Sequence, residues 1–199
     1  MNNNDYEEIS REEYYFYLAQ EISSISPDPN TKVCAIYVKD NEILSIGYNR
    51  YPLRWTAPET MIWKRKAEKK SETKYPYVIH AEQAGIQKDI NYMGATCYVT
   101  LFPCSNCAKA IVESGVTKVV YLSLGKEITD ERKDEIDGVI KLFRECGVEC
   151  LSYEEEKLRN NGQNDTVQIP QRRETPKILC RSLATGHKYH LYDIDDKVA

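Results

Sequence analysis

No stretch of this chain approaches the roughly 20 consecutive apolar residues that a membrane-spanning helix needs. The opening MNNNDYEEISREEYY has neither the basic end nor the apolar centre of a signal peptide. The expectation is a cytoplasmic protein. Positive charge is not in excess either: 27 Lys and Arg against 31 Asp and Glu leave a net charge of -4. A nucleic-acid backbone as the main partner calls for a dominant basic surface, so that class is disfavoured, whereas a small anionic ligand needs only a local basic pocket. Seven cysteines are an odd number for a reduced chain, which argues against a disulfide framework and leaves thiols for a core or a metal. Internal repeats and extended low-complexity segments are absent. Histidine is scarce, with three in 199 residues.

At this length one domain of ordinary size can close a hydrophobic core, and a second full domain is not expected. Tyr15, Leu18, Ala19 and Ile22 recur at helical spacing and stop before the turn-rich SPDPN at Ser26 to Asn30. Val33 to Lys39 and Glu42 to Tyr48 are β-branched and aromatic runs split by Asp40-Asn41, the pattern of a hairpin. Asn49 to Tyr77 reads as a long excursion with at most one helix, a length that usually carries function. Then a regular alternation begins. It runs helix from about His80 to Lys88, strand Thr96 to Leu101, helix Cys104 to Ser114, strand Lys118 to Leu122, a helix with Ile136, Val139, Ile140 and Phe143 on one face, and strand Val148 to Tyr153 after Gly147. A hairpin followed by β/α units predicts a three-layer α/β/α sandwich around a mixed five-stranded sheet, with the later strands parallel. The domain spans residues 1–154, and 155–199 is an extension, in which PKILCRSL and HKYHLYDI are short strands or an ordered tail.

Two segments carry chemistry. In VIHAEQAGI, His80 and Glu82 fall at the start of a helix. On their own they are also explained as a buried capping histidine and a carboxylate favoured by the helix dipole. In TLFPCSNCAKAI, Pro103 suits a helix entry, and Cys104 and Cys107, three residues apart, face one point from one turn. A helix N-terminus favours the thiolate that a metal requires. A redox CxxC and a structural zinc pair are the alternatives, and the latter needs two more ligands. Both segments are read as strand-to-helix junctions of successive β/α units, so His80, Cys104 and Cys107 converge at one sheet edge. Three ligands on zinc leave an open fourth position, the catalytic arrangement, with Glu82 beside it as proton carrier.

H-x-E followed by P-C-x-x-C is the pattern of zinc nucleobase deaminases. From Ser26 to about Tyr153 the chain more specifically resembles deoxycytidylate (dCMP) deaminases, in SPDPNTKV, GYN at Gly47 to Asn49, WKRKAEKKSETKYPYV before HAE, and GATCYVTLFPCSNCAKAIVESGVTKVVYLS. The resemblance implies a cytidine-deaminase-like fold, zinc, and hydrolysis of dCMP to dUMP for thymidylate supply. It also implies Asn49 as a sugar contact, Ala81, Leu101 and Phe102 as further substrate contacts, and a homo-oligomer, dimer or hexamer. The sequence departs from the family at HAE-x-N-A, which reads HAEQAG with Ala84 and Gly85. Arg50 follows GYN where a glycine is usual, Cys34 stands for a glycine, and SLGKEI replaces Ser-Asp-Lys-Tyr. Arg50 sits where relatives place a glycine linked to regulation by dCTP and dTTP.

Lys32, Arg50 and Arg54 are candidate phosphate or effector contacts, with the run Lys64 to Lys70 as a further basic patch or a solvated helix face. The resemblance also admits a second zinc site, which some relatives carry, at Cys180, His187 and His190, although their spacing is loose, and the remaining cysteines read as small core residues. Two other functions compete with a free-nucleotide deaminase. One is an editing deaminase with a groove for RNA or DNA, and the other is a zinc-stabilised interaction module that would tolerate loss of Glu82.

Overall fold

A computed structural model describes residues 6–55, 63–126, 128–160, 165–170, 179–181 and 188–190. The chain begins with a strand, β1 (Tyr6–Ser10), that runs directly into helix α1 (Arg11–Ser23). Ser10 ends the strand and caps the helix, its hydroxyl accepting from Glu13 N at 3.1 Å, while Glu12 and Glu13 lie at the positive end of the helix dipole. The hairpin then forms as the sequence predicts, from β2 (Cys34–Lys39) and β3 (Glu42–Tyr48). Its two-residue turn puts Asp40 and Asn41 at φ 51° and 64°, the left-handed values that match the twist of paired strands and that Asx residues tolerate.

Next come α2 (Ala81–Gly85), β4 (Thr96–Val99), α3 (Ser105–Ser114), β5 (Lys118–Tyr121), α4 (Asp130–Glu145), β6 (Glu149–Ser152) and α5 (Tyr153–Asn160). The sheet order is β3-β2-β4-β5-β6, with β2 antiparallel to both neighbours and β4, β5 and β6 parallel. Alternation along β2 builds the layers. Cys34, Ile36 and Val38 pack with Tyr15, Phe16 and Ala19 of α1. Ala35 and Tyr37 point the other way, toward Ala81 of α2, Ala108 and Ile111 of α3, and Ile136, Val139 and Phe143 of α4. The result is the expected three-layer sandwich on a mixed five-stranded sheet.

Three local features differ from the expectation, and the long excursion keeps to it. The helix predicted over residues 80–88 ends at Gly85, because Ile86 is extended and the Tyr92 phenol closes the helix end, donating to Gly85 O at 2.8 Å and accepting from Gln87 N at 3.1 Å. The excursion over 49–77 holds a single 3-10 turn at Lys70–Glu72 among its described residues. Helix α5 follows β6 without a loop. Strand β7 (Thr166–Pro170) returns to pair antiparallel with β1, Ser10 opposite Thr166. In the tail, Leu179–Arg181 and Lys188–His190 form a two-stranded antiparallel ladder. His187 lies outside the described residues, and with it the candidate second zinc site. Among the described residues no helix is long and apolar enough to cross a membrane.

Candidate metal centre and active site

Two helix starts meet over β4. His80 is the N-cap of α2 and Cys104 the N-cap of α3, both with extended backbone (ψ 156° and 168°), and Cys107 lies in the first turn of α3. The route to His80 is not the strand that the sequence suggests. Ile79 makes only an isolated bridge with Arg50, Arg50 N donating to Ile79 O at 3.1 Å and Ile79 N to Arg50 O at 2.8 Å. Convergence is achieved instead by laying α2 against β3. At Gly47 a Cβ would stand 2.2 Å from Ala81 O and 2.3 Å from Gly85 N, so only glycine lets the two backbones approach. At Gly85 a Cβ would stand 2.6 Å from the Tyr37 ring. The departure from the family pattern at Gly85 thus has a local cause: the buried Tyr37 occupies the space that a larger residue would need.

His80 Nδ1 lies 3.5 Å from Cys104 Sγ and 3.3 Å from Cys107 Sγ, and the three donor atoms lie within 4.8 Å of one another. Zinc bonds of about 2.3 Å to sulfur and 2.0–2.1 Å to nitrogen, at a tetrahedral angle, span an edge of roughly 3.5 Å. The donor set therefore fits zinc in size and in chemistry. Among the described residues no other group of histidine, cysteine or acidic side chains meets in this way.

The hydrogen bond with Cys107, together with that from His80, pulls the Cys104 thiol down to about 4 against the opposing effect of burial. The same contact with Cys104, and burial, push the Cys107 thiol up. A cation held by the two sulfurs takes both as thiolates, so its binding releases protons. His80 is raised by its hydrogen bond to Cys104. Glu82, 4% exposed, is raised by burial, which disfavours its charged form. Tyr37 Oη donates to the Glu82 main-chain carbonyl at 2.9 Å and fixes that turn.

Other predicted residues are placed variously. Asn49 is buried as a bridge: its Oδ1 accepts from Val33 N and its Nδ2 donates to Thr31 O, each at 2.8 Å. Ala81 is buried in the first turn of α2. Lys32 does not project into the site, since its ammonium donates to the carbonyls of Ser24 and Ser26, both at 2.8 Å. Arg50 donates to Tyr51 O at 3.2 Å, Arg54 is exposed, and 64–70 is an exposed stretch. The Phe102 carbonyl accepts from Arg132 Nη2 at 2.7 Å and so is engaged from the α4 side, and Leu101 is half-buried just before it.

Three groups escaped the sequence reading. Lys74 and Asp28 form a buried ion pair, and the positive charge of Lys74 bears on His80. Around the bridge to Ile79, Tyr51 stacks on Trp63 with centroids 4.5 Å apart and meets Trp55 edge-on, and Trp55 packs on Tyr77. These rings cover one another. The third group is Arg132 and Glu135 on α4, whose only visible signal was an i, i+3 charge pair.

The family model for the cytidine and deoxycytidylate deaminase zinc-binding region matches residues 9–123, a span that contains His80, Glu82, Cys104 and Cys107. Over 122 residues the chain is 39% identical to the deoxycytidylate deaminase of Homo sapiens, covering 60% of this chain and 68% of that one. Its fold is similar to the dCMP deaminase of the cyanophage S-TIM5 in apo form, with TM-score 0.53 and 28% identity over 71% of this chain and 95% of that one. The same phage enzyme in complex with dCMP and dUMP gives TM-score 0.55 and 29% identity, over 70% and 94% of the two chains.

Proposed function

The chain belongs to the cytidine and deoxycytidylate deaminase family, and from that premise we propose that it hydrolyses dCMP to dUMP and ammonia, with His80, Cys104 and Cys107 as the zinc ligands and Glu82 as the proton carrier. The observation that carries the reading is the meeting of His80 Nδ1 with the two sulfurs at 3.5 and 3.3 Å, all three donors within 4.8 Å of one another, with a buried carboxyl two residues from the histidine.

When bound there, zinc supplies Lewis acidity that makes water nucleophilic near neutral pH. Glu82 does the proton transfers: buried two residues from the ligand histidine, its carboxylate takes a proton from water, gives it to N3 of the cytosine, and returns a second to the departing amino group. Water adds at C4, the C4–N bond breaks, and the ring keeps the oxygen. Tyr37 holds the Glu82 main chain still while this occurs. The first N–H of α2, on Ala81, offers a donor to the base, and the Leu101 carbonyl accepts from the amino group, the Phe102 carbonyl being held by Arg132. Asn49 uses Oδ1 and one Nδ2 hydrogen within the fold and presents its second hydrogen to the sugar. Arg50, beside the bridge to Ile79, is the nearest of the proposed phosphate contacts to His80 in the chain's pairing.

The reading extends to a homo-oligomer, and to the cytoplasm, where the two ligand thiols stay reduced. Residues 1–154 form the catalytic unit and 155–199 its extension. The test is ammonia release from dCMP, dCTP, deoxycytidine and a single-stranded oligonucleotide. A charge-assisted phosphate contact contributes about 1.5–3 kcal/mol, so dCMP should exceed deoxycytidine at least about tenfold in kcat/KM. Equal efficiency on the two would refute phosphate recognition, and preference for the oligonucleotide would assign an editing deaminase.

A further inference from the structure

The metal turn is gripped from outside by α4. Arg132 Nη2 donates to Phe102 O at 2.7 Å, and Arg132 Nη1 pairs with Glu135 Oε2 at 2.6 Å. Glu135 Oε1 then accepts from Ser105 N at 2.9 Å. One guanidinium and one carboxylate thus hold the peptide groups on either side of Pro103-Cys104 in a closed ring of contacts. The rest of the turn is tied inward, by Phe102 N to Ser123 O at 2.7 Å and Ala108 N to Cys104 O at 2.9 Å. Thr129 caps α4 through Arg132 N at 3.2 Å, so the arginine starts from a fixed helical turn. The ring is partly shielded, with side chains 21% and 32% exposed. Burial would raise the Glu135 carboxyl, yet the Ser105 N–H and Arg132 hold it below its ordinary value. Both residues lie beyond the 9–123 span matched by the family model.

We infer that Arg132 and Glu135 are positioning residues for the metal centre, fixing the Cys104 backbone and thereby the rate at which zinc is lost. The inference rests on the zinc reading above. Outer partners of metal ligands typically change affinity by about 10–100-fold when removed. Zinc-loaded protein is mixed with excess chelator, and release is followed with a chromogenic zinc indicator at a temperature where far-UV circular dichroism shows every variant folded. Arg132→Ala and Glu135→Ala should each release zinc at least about tenfold faster than wild type. The double variant should be little worse than either single one, since each opens the same ring. Arg132→Lys, which keeps the charge but not the two-pronged geometry, should also be faster, and it stands in if an alanine variant does not fold. Arg159→Ala, which removes the surface pair with Glu149, should match wild type. Release within about twofold of wild type in folded Arg132 and Glu135 variants, or equal acceleration in Arg159→Ala, would overturn the inference. Wild-type protein that neither carries nor takes up zinc would instead overturn the metal reading, and this one with it.

Discussion

The two helix starts that form the site are held by opposite means. At His80 the support is packing: Gly47 and Gly85 let backbones and a tyrosine ring come within contact, and the phenols of Tyr37 and Tyr92 close on main-chain carbonyls in the interior. At Cys104 the support is an ion pair on a half-open surface, reaching two peptide groups from another helix. The first arm has no room for an added atom at Gly47 or Gly85, whereas the second depends on charge and direction. On the proposed reading, the carboxyl of Glu82 rides on the side held by packing and the two sulfurs on the side held by directed polar contacts.

The largest effect that would sharpen this comparison is on chemistry. Glu82→Gln keeps the packed arm and all three ligands, so zinc should stay bound while turnover falls at least about a thousandfold. Full activity would remove Glu82 from the mechanism. The same substitution has an opposite effect on stability. Burial raises the folded-state pKa of Glu82, so its favourable contribution is present at low pH and lost as pH rises through that raised value. Metal-free Glu82→Gln should therefore melt above metal-free wild type at pH 7, with the gap closing below the ordinary carboxyl range.

Next in size is the glycine at the crossing. Gly47→Ala drives a Cβ into main-chain atoms that cannot rotate away, and should cost about 3 kcal/mol or more in urea unfolding. An unchanged midpoint would show that α2 can slide. A smaller and more selective effect belongs to Gly85→Ala, about 1–3 kcal/mol, because its obstacle is a side chain. In a Tyr37→Leu background that cost should largely vanish, and additive costs in the double-mutant cycle would separate the two positions. The smallest is Tyr37→Phe. Loss of one phenol donor to the Glu82 carbonyl should cost about 1 kcal/mol of stability and lower kcat a few-fold with KM unchanged. A rise in KM alone would mean that the phenol serves substrate binding instead.

The residues with local chemical meaning were legible. His80, Glu82, Cys104 and Cys107 announce themselves by type and spacing, Asp40-Asn41 by the turn it permits, and Ile136, Val139 and Phe143 by helical period. What stayed hidden was set by distant partners. Strand YEEIS has too few apolar residues to show a period. The end of α2 is decided by a phenol seven residues away from Gly85 in the chain. Lys32 resembles a phosphate contact until the carbonyls of Ser24 and Ser26 are seen around its ammonium. Arg132 reads as half of an ordinary helix-surface pair, since nothing in its neighbourhood tells that Phe102 lies within its reach. The long excursion did carry signal, in its tryptophans and tyrosines, but not the mutual stacking that occupies their faces.

The pairing of β1 with β7 also sets a schedule. Arg11 meets Asp165 across 154 positions and Glu8 meets Thr166 across 158. At roughly 5–20 residues added per second, a ribosome leaves the β1 edge waiting on the order of 8–30 s for its partner. Helix α1, capped by the last residue of that strand, can form within microseconds. During the wait an unpaired strand is open to foreign edges, and in β1 the glutamates Glu7 and Glu8 stand where a more apolar sequence would invite them. The acidic character that concealed this strand from a search for periodicity is thus what suits it to being made well before the strand it pairs with.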